Sequence, residues 1–302
     1  MKNSAKQRKG SKILKILGFI LFAAIILAIA AVLFLNSQMK RNSEAWAENQ
    51  AAMVKTDDEL LGKHFYVPRQ DAEAVDVNLY LPEEGEGLPV VFNLHGGAFI
   101  AGDADTLDSQ SLRLSQDWNA VIVTVNYKLA VDGISIEYGT QEVVDTVKYF
   151  LEHAKEYHID PNNVVLMGYS AGGCHAAMAT LALTQEGVNI AAQVLCYPFI
   201  GGVVEGFHAL SQTQQNNLPP TLFVLADNDP ISDGSLEYET VLREAGISTE
   251  IKKYDGSIHG FLEENNPEYD ALPAGAASKS PEQEVMARAG ETYIGDWLAG
   301  VL

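Results

Sequence analysis

Apolar positions along the 302-residue chain fall into three patterns. Ile16 to Leu35 is an unbroken run of twenty residues without charge or proline. As a helix rising about 1.5 Å per residue, it would reach about 30 Å, the hydrocarbon thickness of a bilayer. His64–Arg69 and Val75–Leu81 alternate apolar and polar residues around Gln70-Asp71, which predicts a hairpin. Leu88–Leu94, Ala120–Asn126, Val164–Met167, Ala191–Cys196 and Thr221–Ala226 are short runs rich in Val, Ile and Leu. Such runs suit strands buried on both faces of a parallel sheet. Ser248–Tyr254 is the next strand of the series.

Helical patterns over Glu137–Tyr157, Gly172–Thr184 and Asp233–Ala245 separate most of these strands, and Glu282–Leu298 closes the chain. Alternating β and α units predict one α/β domain at 62–302. Its sheet is doubly wound and mostly parallel, with right-handed crossovers. Only Gly201–Leu218 separates Ile200 from the Pro219-Pro220 start of the next strand, so any lid at 201–218 is short. Residues 263–283 are polar and read as a long loop. No internal repeat or second core is evident.

Charge divides the chain. Residues 1–41 hold eight Lys/Arg and no Asp/Glu, leaving twelve basic and all forty acidic residues in 42–302. An acidic body repels nucleic acid, which removes that partner. Six of the eight basic residues precede the apolar run and only Lys40 and Arg41 follow it closely. The expected layout is a basic cytoplasmic tail at 1–12, a transmembrane anchor at 13–35, and a juxtamembrane linker or helix at 36–61. The body then lies across the membrane. The rival is a cleaved signal peptide, but the run is longer than the usual 7–15 residues, and Ala45-Trp46-Ala47 lies well beyond it. Cys174 and Cys196 form no pair or cluster with metal-ligand spacing, and no cofactor is implied.

Candidate chemistry gathers after the strands. Gly168-Tyr169-Ser170-Ala171-Gly172 follows one strand and opens a helix. In that context Gly-x-Ser-x-Gly exposes a nucleophilic hydroxyl at a sharp turn. His95-Gly96-Gly97-Ala98 ends another strand. Gly96 and Gly97, with Ala171 at the helix start, would present backbone N–H groups to a developing oxyanion. Downstream, Asp229 and His259 each follow a strand, in the order an orienting acid and a general base require. Asp227 is the rival acid; Asp229-Pro230 leading into a helix favours Asp229. Of the other histidines, His95 is expected to brace the oxyanion loop and His175 to be packed or solvated. His153 and His158 fall late in a helix, His64 starts a strand, and His208 lies in the lid region, where it could line the site.

Together, His95-Gly96-Gly97-Ala98-Phe99, Asn126–Ala130, Gly168–Gly173, Asp229-Pro230 and His259-Gly260-Phe261 resemble the hormone-sensitive-lipase-like esterases. These are the carboxylesterase and acetylesterase branch of the α/β-hydrolases. The resemblance runs from about Leu88 to Gly260. It implies a Ser170, Asp229, His259 triad and an oxyanion hole from Gly96, Gly97 and Ala171, while the short lid suits small or exposed acyl esters better than long lipid chains. The sequence departs from the family in Ala98, where a third glycine is usual, and in Tyr169, where an Asp is usual. A peptidase on the same fold and a non-catalytic hydrolase-like binding module are the alternatives.

Overall fold

The computed structural model describes Ser37, Arg41, residues 54–266 and residues 278–302. The chain divides into two compact units, residues 1–48 and 49–302. In the first, only Ser37 and Arg41 are described, both helical. The expected tail and anchor lie outside the described residues, as does most of the linker. Among the described residues no helix is long and apolar enough to cross a membrane.

In residues 49–302, eight strands form one sheet: β1 (Lys63–Val67), β2 (Val75–Tyr80), β3 (Leu88–Leu94), β4 (Val121–Asn126), β5 (Ile159–Tyr169), β6 (Ala192–Cys196), β7 (Thr221–Asn228) and β8 (Thr249–Ile258). Their spatial order is β1-β2-β4-β3-β5-β6-β7-β8. The β1–β2 hairpin pairs antiparallel, Phe65 opposite Val77, and β2 adds antiparallel to β4. From β4 to β8 every pairing is parallel. The helices are α1 (Asp108–Asp117), α2 (Ile136–Glu152), α3 (Ala171–Gln185), α4 (Val203–Ala209), α5 (Gln212–Gln215), α6 (Ser232–Glu244) and α7 (Pro281–Val301).

Both sheet faces are apolar because successive side chains of a strand point to opposite sides. On one face Val90, Phe92, Leu94, Val121, Val123, Val164 and Leu166 pack with Val143, Val147 and Phe150 of α2 and Ala176 of α3. On the other, Val91, Ile122, Val165 and Met167 pack with Leu114 of α1 and Ile294 and Leu298 of α7. This double burial makes β3 to β7 read as near-continuous apolar runs rather than alternating ones.

The connection after β3 leads outward to β4, and that after β5 leads the other way to β6, while β3 and β5 are neighbours. The crevice beyond their carboxyl ends is the topological switch point, where ligands of such sheets bind. His95 and Ser170 stand there, directly after β3 and β5.

Residues 201–218 contain two short helices, α4 and α5. Two expectations need correction. A helix, α1, stands where none was predicted. His158 is not in a helix: α2 ends at Glu152 and His158 has a left-handed backbone, φ 60°. Cys174 and Cys196 are both free and buried.

Candidate active site

Ser170 occupies the turn between β5 and α3 with φ 51° and ψ −111°, a conformation that non-glycine residues rarely adopt. Several hydrogen bonds hold it there. Its N–H donates to the Cys196 carbonyl at 3.0 Å, and its own carbonyl accepts from Phe199 N–H at 3.0 Å. The flanking glycines permit the close approach. A Cβ on Gly168 would collide with the backbone of Gly172, and one on Gly172 with the carbonyls of Leu94 and His95. The hydroxyl is thus fixed at the mouth of the crevice.

His259 follows β8 in a tight turn closed by Phe261 N–H to Ile258 carbonyl at 3.0 Å. Its Nε2 is 2.9 Å from Ser170 Oγ, and its Nδ1 is 2.9 Å from Asp229 Oδ2. A carboxylate only accepts, so Nδ1 carries the proton and Nε2 faces the serine as an acceptor. The Asp229 side chain is 1% exposed and that of His259 30%. Asp229 Oδ1 also accepts from Ile231 N–H at 3.0 Å, which fixes the carboxylate's plane. The rival Asp227 is engaged elsewhere. Its carboxylate lies 2.7 Å from Lys253 Nζ and accepts from Gly256 N–H at 3.2 Å. The Lys253 ammonium, with that N–H, holds Asp227 below the usual carboxylate range.

The loop after β3 is wound tightly. Gly97, Ala98 and Phe99 all have positive φ, at 128°, 49° and 66°. The Gly97 carbonyl accepts from Ile100 N–H at 3.1 Å and Ala101 N–H at 3.0 Å. Gly97 needs to be glycine, since a Cβ there would strike the Ala101 carbonyl. Gly96 differs from expectation: its N–H donates to Glu263 Oε2 at 2.8 Å, so it is committed and does not face a substrate. The N–H groups of Gly97, Ala98 and Ala171 make no hydrogen bond among the described residues.

His95 is wholly buried and braces this loop as expected. Its ring stacks on Tyr127 at 4.2 Å, and Nδ1 lies 2.6 Å from the Gly96 carbonyl. Burial pushes His95 down to about 4, and His175, 1% exposed, down to about 3. Burial thus leaves both rings weakly basic, and neither reaches Ser170: His95 Nδ1 faces the Gly96 carbonyl and His175 Nδ1 faces Thr140 Oγ1. His208 is exposed on α4 and does not line the cavity around Ser170.

That cavity has a volume of about 420 Å³. Among the described residues, Ala98, Phe99, Ala171, Phe199, Pro230 and Ile231 surround Ser170 and His259, and no Asp, Glu, Lys or Arg lines the cavity. Phe99 and Phe199 meet edge to face at 5.7 Å. The aromatic pair was not foreseen from sequence: Phe99 ends the His95–Phe99 motif, but Phe199 stands in none.

A family model described as the alpha/beta hydrolase fold matches residues 90–216 and 205–263, more than half of the chain. This chain belongs to the α/β-hydrolase family. It is 27% identical to an α/β hydrolase of Acanthamoeba polyphaga mimivirus over 215 residues, 58% of this chain and 61% of the viral protein. It is 26% identical to the carboxylesterase NlhH of Mycobacterium tuberculosis over 228 residues, 62% of this chain and 71% of that one. Among solved structures, an esterase of Pyrobaculum calidifontis superposes with a TM-score of 0.67 at 23% identity. That match covers 87% of this chain and 94% of the other. This α/β-hydrolase therefore shares its fold with that structure over most of the chain.

Proposed function

We propose that this α/β-hydrolase cleaves carboxylic esters of small acyl groups through an acyl-enzyme on Ser170. The supporting observation is the unbroken line Asp229, His259, Ser170, with both links at 2.9 Å. His259 Nε2 takes the Ser170 proton as Oγ bonds to the ester carbonyl carbon. The carbonyl π pair moves to oxygen, and the N–H groups of Gly97, Ala98 and Ala171 receive that charge. His259 then returns the proton to the leaving alkoxide as the ester C–O bond breaks. Water repeats the sequence to release the acid. Asp229 holds the imidazole tautomer and stabilises the imidazolium throughout.

The apolar lining supports an uncharged substrate, since a buried ionic group would be unpaired there. A cavity of about 420 Å³ suits a small acyl group rather than a long lipid chain. The two short helices over residues 203–215 serve, in this reading, as a short lid. Residues 13–35 anchor the enzyme as a single span, with the hydrolase domain on the extracytoplasmic side; the basic residues before the apolar run support that orientation.

The decisive experiment is labelling by a fluorophosphonate probe with hydrolysis of p-nitrophenyl acetate. Wild-type protein is expected to label and turn over; Ser170→Ala is expected to do neither, with a loss of about 10⁴–10⁶-fold in rate. Absence of labelling in the wild type would overturn the reading. For the anchor, the full chain is expected to remain with membranes after carbonate washing and a chain beginning at Asn42 to leave them.

A further inference from the structure

Four residues beyond His259 lies a buried acid that takes no part in the proton transfers among Ser170, His259 and Asp229. Glu263 is 4% exposed. A carboxylate near a site that develops negative charge opposes that charge, so its presence calls for a geometric reason. Oε2 of Glu263 accepts the N–H of Gly96 at 2.8 Å. The backbone N–H of Glu263 donates to Tyr197 Oη at 3.2 Å, and the Tyr197 ring lies 5.0 Å from that of His259. Glu263 thus joins the turn that carries His259 to the loop after β3.

The contact falls on the residue that leads into the tightly wound part of that loop. Gly96 is held on its N–H by Glu263 and on its carbonyl by His95 Nδ1 at 2.6 Å. The preceding carbonyl, of His95, accepts from Tyr127 Oη at 2.6 Å. Both peptide groups flanking Gly96 are therefore fixed before the chain enters its three positive-φ residues. A Cβ at position 96 would collide with the Glu263 carboxylate, so the glycine makes room for this acceptor. Without the acceptor, a buried N–H would be left unsatisfied and the peptide plane would turn to find another partner.

We infer that Glu263 is a positioning residue of the oxyanion loop: its carboxylate oxygen fixes the Gly96 peptide so that Gly97 and Ala98 present their N–H groups to the oxyanion formed at Ser170. The inference rests on the ester-hydrolysis reading above. It requires an acceptor oxygen at the reach of a Glu side chain, and it does not require the charge. Gln meets that requirement. Asp keeps the charge but is one methylene too short.

The test compares Glu263→Gln and Glu263→Asp in the full chain. kcat and KM for p-nitrophenyl acetate are normalised to sites counted by complete fluorophosphonate labelling. Each variant is also assayed for inhibition by a trifluoromethyl ketone. Ser170 Oγ adds to that ketone's carbonyl carbon, its proton passes to His259, and the carbonyl oxygen becomes an oxyanion. Glu263→Asp is expected to lose about 30–300-fold in kcat, the scale of one misplaced oxyanion donor, with KM changed less than about threefold. The ketone's Ki is expected to weaken by the same factor as kcat/KM. Glu263→Gln is expected to stay within about fivefold of wild type in all three. An Asp variant with wild-type kcat, or a Gln variant as slow as Asp, overturns the inference. If Asp fails to fold by thermal melt, the Gln variant decides alone, a loss above about fiftyfold overturning it. A wild type that does not label removes the ester reading itself, which separates the two failures.

Discussion

His259 Nδ1 meets Asp229 at 2.9 Å, while Asp227, two residues earlier, turns to Lys253 at 2.7 Å. The cause is a slip in register. Between Ala226 and Asn228, two steps along β7 oppose four along β8, from Tyr254 to Ile258. The extra residues cap Asp227: Gly256 N–H donates to its carboxylate, and Ser257 Oγ accepts its N–H at 3.0 Å. Two acids on one short segment therefore have separate environments. Asp229→Asn is expected to lower kcat by about 10⁴-fold by favouring the wrong imidazole tautomer. Asp227→Asn is expected to stay within about threefold. Steady-state rates on p-nitrophenyl acetate decide it, and equal losses would defeat the assignment.

Phe199 is half-exposed and closes one side of the cavity against Phe99. Phe199→Ala opens that side. Each buried methylene is worth about 0.8 kcal/mol, roughly fourfold in an equilibrium. The ratio of kcat/KM for hexanoyl over acetyl p-nitrophenyl esters is expected to rise about tenfold in the variant. An unchanged ratio would place the acyl group elsewhere.

Asp108 anchors the segment ahead of β1. Its wholly buried carboxylate accepts from Lys55 Nζ at 2.6 Å, Tyr80 Oη at 2.9 Å, Leu61 N–H at 3.1 Å and Gly62 N–H at 3.2 Å. Asp108→Ala leaves these donors without their acceptor and is expected to cost about 3–5 kcal/mol. Thermal unfolding should register a fall in Tm on the order of 10 °C. Cleavage between residues 54 and 62 under limited proteolysis should appear in the variant before the domain melts.

Acid sensitivity follows from the buried histidines. His175, held down to about 3 chiefly by burial and further by His95, stays neutral in the fold while the unfolded chain protonates near 6.5. Its contribution to stability is therefore complete above about pH 6.5 and is lost as pH falls below it, toward the folded value. The slope is about 1.36 kcal/mol per pH unit. Burial holds Asp103 up to about 6, which acts with the opposite sign over that window but is common to both proteins. The stability gap between wild type and His175→Gln is expected to narrow by about 2 kcal/mol from pH 7 to pH 5, read from urea unfolding. A constant gap would refute it.

Local pattern was enough for most of the frame. Leu88–Leu94 reads as a strand and is one, because both its neighbours and both its faces are apolar. The hairpin before it alternates in sequence and forms, although β2 is buried at five of its six positions, Asn78 included. Helix α1 escaped because its buried face is polar: Asp108, Gln110, Ser111 and Ser115 point inward. Gln110 is matched by Glu291 and Tyr169, and Ser111 by Asn93, partners 18 to 181 residues away. No periodicity reports a face that is polar and satisfied at a distance.

The same division runs through the site. The sequence alone determined the sheet, the elbow at Ser170 and the turn after β8 that carries His259, since strand pattern and glycine spacing are local properties. Tertiary structure decided which aspartate reaches His259, that Gly96 serves Glu263 rather than substrate, and that Phe199 walls the cavity. Those outcomes depend on a register slip and on hydrogen bonds spanning up to 167 residues, and such pairings exist only once the chain has closed on itself.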